Sequence, residues 1–168
     1  MAFHHRDGDS ESVIHEIDIV RWLLDEEIAS AHVVTGRRSS LAPSGVNDPH
    51  MVMFQMVSGA LVDVESFINS QYGYDISCQV VGEKGTAYLA AMSDARVSIS
   101  GAETTAIPAD YQERFADAFR RELQGWVDSI RAGSPVGADA WDGYAATAVA
   151  QACRQSLADH DRPSGVGA

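Results

Sequence analysis

A histidine flanked by carboxylates at helical spacing is the arrangement in this chain best suited to moving a proton. Glu11, His15, Asp18 and Trp22 fall at i, i+4, i+7 and i+11, the repeat that stacks side chains along one helix face. Glu11 precedes His15 by one turn and Asp18 follows by one. A carboxylate beside an imidazole fixes its tautomer and makes it a better proton acceptor, which is what a general base requires. Spacing alone also fits an ordinary solvated helix face.

Such a stripe needs a helix anchored on its other side. Val13, Ile17, Val20 and Leu24 supply the apolar face, so residues 10–25 read as an amphipathic helix capped by Asp9 or Ser10. Residues 1–6 read as the end of a strand and 7–10 as a turn. A strand over 26–36 follows, then a Ser/Pro/Gly/Asn-rich loop over 37–49. Strands over 50–57 and 60–69 flank Ser58-Gly59 and form a hairpin. Further strands are expected over 74–81, 86–92 and 95–100, the last pairing with the one before it. Helices over 111–131 and 138–160 complete the order. This order predicts an α+β fold with a mainly antiparallel open sheet and helices packed on one face. One domain is expected over 1–161, with a flexible tail over 162–168.

The chain has 168 residues, 45% of them hydrophobic and 21% charged, enough for a globular core. Its 24 acidic and 12 basic residues give a net charge of -12, which repels phosphate backbones, so no nucleic-acid partner is expected. No apolar run reaches the length of a membrane span and no secretory leader is visible, so the expectation is a cytoplasmic protein without membrane contact. Cys78 and Cys153 read as free buried thiols. His4, His5 and His15 with Asp9 and Glu11 lack compact zinc-ligand spacing, so no metal site is expected. No Gly-x-Gly-x-x-Gly follows a strand, so no cofactor-binding residues are assigned. Apolar residues occur on both faces of the strands over 50–92. Helices can cover one side, and the other would leave an apolar patch; a homo-oligomer joined through the sheet face is therefore expected.

Several segments together resemble the C-terminal domain of the Gfo/Idh/MocA oxidoreductases, most closely the inositol 2-dehydrogenase type. Glu11-Ser-Val-Ile-His15-Glu16-Ile-Asp18-Ile-Val-Arg-Trp22-Leu23 is similar to that family's Asp-x-x-x-His-Glu-x-Asp-x-x-x-Trp-Leu helix. Gln71-Tyr72-Gly73-Tyr74-Asp75-Ile76 and Val81-Gly82-Glu83-Lys84-Gly85 resemble its Tyr-Gly-Tyr-Asp strand and Gly-Glu-x-Gly turn. Tyr111-Gln-Glu-Arg-Phe115 and Ala140-Trp141-Asp142-Gly143-Tyr144 resemble the starts of its two long helices. His5-Arg6-Asp7 resembles a His-Arg-Asn segment of its first strand.

The resemblance implies a substrate-binding and oligomerisation domain of an NAD(P)-dependent oxidoreductase that oxidises a secondary alcohol of a cyclic polyol or sugar. His15 would be the base and Glu11 its supporting carboxylate. Glu11 stands where the family has Asp, and its extra methylene moves the carboxylate, which catalytic geometry tolerates poorly. His5, Asp18, Tyr74 and Tyr111 would contact substrate, the last at a position more often Trp. The Rossmann half is not visible, so NAD(P) is expected only with a separate Rossmann-domain partner. The competing reading is a non-catalytic dimerisation or carbohydrate-binding module. A cofactor-free isomerase or lyase built on His15 and Glu11 is disfavoured, because nothing else in the sequence would stabilise an enolate.

Overall fold

The computed structural model describes residues 13–89, 96–159 and 162–167. The stretch read as one domain divides into two compact units, Met1–Asn69 with Ala138–Ala168, and Ser70–Gly137.

In the first unit, helix α1 (Ile14–Leu24) leads into strand β1 (Ile28–Thr35), and β2 (His50–Met56) and β3 (Leu61–Ser66) form a hairpin. The expected Ser58-Gly59 turn is present, with Gly59 at φ 92°. Glu26 secures it: its carboxylate accepts from the Ser58 amide and hydroxyl, both at 2.8 Å. Helix α3 (Ala140–Ala158) closes the unit. The sheet order is β3-β2-β1-β8, antiparallel throughout. Strand β8 is Ser164–Gly165, so the segment expected to be a free tail contributes backbone pairing to β1, and Val166 packs against the core.

Strict alternation sorts the β2 side chains. His50, Val52, Phe54 and Met56 point inward, while Met51, Met53 and Gln55 point outward, as a period of two requires. Val13 at the start of α1, Ile17 and Val20 within it, and Val149, Ala152 and Cys153 of α3 cover the inner face. The helices packed on one face of the sheet are thus α1 and α3. Burial pushes the Cys153 thiol up to about 11. Cys78, expected to be buried, is exposed, at the start of a strand whose residues are exposed or half-buried throughout.

The second unit comprises two hairpins and a helix. Strands β4 (Cys78–Gly82) and β5 (Gly85–Leu89) pair across the expected turn. Strand β6 (Arg96–Ile99) pairs with β7 (Ala102–Thr105) rather than with the strand before it. Ser100 and Gly101 both take positive φ, 52° and 77°, as a two-residue type I′ turn demands. Helix α2 (Tyr111–Ala132) starts at Asp110, whose carboxylate accepts from the Glu113 amide at 2.9 Å, and stops at Gly133.

One sheet-edge donor is satisfied by a helix. Strand β8 pairs only with Ser30 and Ala31, and the Val33 amide beyond them donates to Ser156 Oγ of α3 at 3.0 Å. Ser156 is fully buried. Ser156→Ala strands that amide without water or partner, so it should destabilise the protein by about 1–3 kcal/mol, read as a lowered urea midpoint at unchanged m-value.

Candidate functional site

Helix α1 has two faces with different tasks. Val13, Ile17 and Val20 are buried; His15, Ile19, Trp22 and Leu23 are exposed, Trp22 at 74%. His15 therefore projects away from the core, on the same exposed side as Trp22, and makes no side-chain hydrogen bond among the described residues. Asp18 lies one turn on, half-buried, with Oδ1 3.9 Å from Arg21. Glu16 is half-buried, and its Oε2 is enclosed without a hydrogen-bond partner among the described residues.

Arg21 fixes this helix. It is 8% exposed, and its guanidinium donates from Nε and Nη2 to the two Glu27 oxygens, each at 2.7 Å. Nη1 donates to Asp142 Oδ1 at 3.1 Å. The bidentate pair ties α1 to the start of β1, and the second bond ties it to α3. Asp142 also completes the α3 capping box, accepting from the Asp139 amide at 2.9 Å. Trp141 Nε1 donates to Glu27 at 3.4 Å, and Trp141 packs on Tyr144 with centroids 5.5 Å apart. Glu27 is held below its ordinary pKa, first by the Arg21 hydrogen bonds. Asp142 is held low by the Asp139 amide and then by Arg21. Arg21 itself is raised by Glu27.

In the second unit, Tyr74 packs edge-on against Phe115, centroids 6.1 Å apart, and its amide donates to Pro108 O at 2.8 Å. Gly73 before it has φ 126°, and an added Cβ would lie 2.7 Å from Ile107 Cγ2, which explains the glycine between the two tyrosines. Tyr111 opens α2, 39% exposed, edge-on to Phe119. Both tyrosines are thus set by α2, while His15 and Asp18 are set by α1. His5 and Glu11 lie outside the described residues. Among the described residues no three His, Cys, Asp or Glu side chains gather as metal ligands.

Sequence reasoning did not single out Arg21. Its signal was a charged residue four positions from buried Ile17, inside the apolar stripe, where a cation must find acids. Asp142 stands in the Ala140–Tyr144 motif, where nothing in the sequence marks it as a partner of Arg21.

Residues 10–163 match the family described as "Oxidoreductase family, C-terminal alpha/beta domain". The chain belongs to the Gfo/Idh/MocA oxidoreductases. It is 47% identical over 156 residues to inositol 2-dehydrogenase 3 of Saccharopolyspora erythraea, covering 93% of this chain and 46% of that protein. It is 45% identical over 144 residues to the inositol 2-dehydrogenase of Serratia proteamaculans, covering 86% and 43%. The structure of myo-inositol dehydrogenase from Lactobacillus casei, in complex with NAD(H) and myo-inositol, superposes with a TM-score of 0.87 at 28% identity. That match covers 98% of this chain and 51% of the other. The chain spans about half the length of the curated relatives it matches.

The Arg21 cluster sets a pH dependence. Carboxylates whose pKa is depressed in the folded state stabilise it above their unfolded pKa and lose that contribution as pH falls through the folded value. Partial exposure of Glu27 and Asp142 screens the effect. The stability difference between wild type and Arg21→Met should therefore be largest near neutral pH. It should shrink as pH drops below the ordinary carboxylate range. Urea unfolding of both proteins from pH ~7 to ~2 measures this; a difference independent of pH would contradict it.

Proposed function

We propose that this chain is the substrate-binding and oligomerisation part of an inositol 2-dehydrogenase-like, NAD(P)-dependent oxidoreductase acting on a cyclic polyol or sugar. The observation that carries this is the outward placement of His15 on a helix whose opposite side is anchored by the core and by Arg21. An imidazole held on a fixed element and making no hydrogen bond among the described residues is suited to take a proton from a substrate hydroxyl. Asp18 on the adjacent turn supplies an acceptor for a second hydroxyl. Glu11 in the place of the family Asp would orient His15. His5, Tyr74 and Tyr111 would line the polyol site in the complete enzyme. The orphaned Glu16 oxygen calls for a donor beyond those the described residues provide.

NAD(P) does not fit the described residues. All their strand pairs are antiparallel, and a dinucleotide crevice needs parallel strands feeding a helix N-terminus. A hydride acceptor would be held by a separate Rossmann domain. The outer sheet face carries Val34, Met51 and Met53, each 40% exposed, and Leu61 at 71%, which favours a homo-oligomer through that face.

Three outcomes follow. The chain alone should show no NAD(H) affinity in calorimetric titration. Combined with a Rossmann partner it should oxidise inositol, and His15→Ala should abolish the turnover while leaving the unfolding curve unchanged, since an exposed side chain carries little packing energy. A wild-type combination that binds inositol without turnover would instead indicate a non-catalytic carbohydrate-binding module, the role the Glu11 substitution favours. Sedimentation at micromolar concentration should find an oligomer burying at least ~1,000 Å² in total; a monomer alone would remove the sheet-face assignment.

A further inference from the structure

The loop between β1 and β2 and the end of β3 enclose an open groove of about 620 Å³ lined by Arg37, Arg38, Ser39, Ser40, Pro49 and Phe67. None of these residues belongs to the outward face of α1. We propose that this groove binds a small phosphate monoester, with Arg37, Arg38 and Ser40 holding the phosphate and Phe67 and Pro49 contacting the carbon skeleton.

Charge is the first reason. In a chain of net charge -12 with only 12 basic residues, two adjacent arginines line a groove that has no carboxylate in its walls. Neither forms an ion pair with a described acidic residue. Asp48, the acid of the same loop, is 1% exposed and already engaged. Its oxygens accept from the Ile68 and Asn69 amides at 2.9 Å and from Asn69 Nδ2 at 2.7 Å.

Rigidity is the second reason. Arg38 Nη1 donates to Ala42 O at 3.2 Å and Pro43 O at 2.9 Å, which fixes the guanidinium and leaves Nε and Nη2 for a ligand. The Ser39 amide donates to Asp48 O at 2.8 Å, and the Ala42 amide to Ser39 O at 3.2 Å. Asp48 thus links the loop to the segment just beyond Phe67, so both walls are cross-braced before any ligand arrives. A guanidinium fork matches two phosphate oxygens, and a pair of them favours a dianion over a single carboxylate. The volume falls in the range of small-molecule sites, ~300–1,000 Å³. Phe67 is 40% exposed and offers an apolar surface for the ester group.

Calorimetry and thermal unfolding of the full chain with inorganic phosphate and phenyl phosphate, against sodium chloride at equal ionic strength, test this. Both phosphates should bind and raise the unfolding temperature, phenyl phosphate more tightly. Arg37→Gln, on an exposed side chain, should weaken binding at least about tenfold, the size of a lost charge-assisted bond. Arg38→Lys, which keeps the charge and loses the fork, should also weaken it. Arg154→Gln on α3 should change nothing. The proposal is overturned if neither phosphate binds up to ~10 mM, if chloride reproduces the shift, or if Arg37→Gln binds as wild type does. Sedimentation in parallel should show unchanged assembly. Dissociation on adding phosphate would mean that the groove takes carboxylates of a second copy, and would also overturn it.

Discussion

A single buried guanidinium holds the first unit in register. Arg21 reaches Glu27 at the entry to β1 and Asp142 in the first turn of α3, so two neighbouring elements and a third far along the chain meet at one cation. Burying a charge is unfavourable unless it is paired and fully hydrogen-bonded. That condition makes the arrangement selective: a shift of α1 along its axis would leave Arg21 unpaired, whereas the Val and Ile contacts around it would tolerate some sliding. The orientation of the helix face that bears His15 and Trp22 follows from this constraint more than from the core.

The core accepts this geometry because its inner layer is built from small residues where helix meets sheet. Ala145, Ala146, Ala150 and Ala152 let α3 approach β1 closely, close enough for Ser156 to replace a missing strand partner at Val33. On the other side of the same sheet, alternation places Met51, Met53 and Val34 in rows with Glu65, Asp63 and His32. That face is apolar along its centre and charged at its edge, the composition of a specific contact surface rather than of a fully solvated one.

Much of this order could be read from the sequence where one local rule decided the outcome. Gly59 and the glycines at 82 and 85 marked two hairpins, and the period of α1 separated Ile17 from His15. Errors arose where a choice depended on a partner elsewhere. The Ser100-Gly101 turn selects β7 as the partner of β6, whereas the expectation paired 95–100 with the strand before it. Ser164 and Gly165 have no strand propensity; they pair because α3 delivers them to the free edge of β1. The apolar stripe of α2 announces burial without saying against what, and Phe119, Leu123 and Trp126 stay exposed. For the site, the residue type and spacing of His15 and Asp18 were readable, whereas Arg21 needed its acids brought from positions 27 and 142.

Polar groups of the first unit separate by their degree of engagement, and that separation is informative about role. Arg21, Asp48 and Ser156 are buried and have their hydrogen bonds met by groups from other parts of the chain; removing any of them strands a partner, which is the mark of a structural residue. His15 is carried on the exposed face of α1 and makes no side-chain hydrogen bond among the described residues. An exposed side chain on an element fixed from its opposite side costs the described fold little to replace, unlike those three. The same logic separates Arg38, tied down by one nitrogen, from the arginines paired along α2. Arg38 lines the groove with Nη1 tied to Ala42 O and Pro43 O, and the loop that carries it is braced through the Asp48 carbonyl at Ser39.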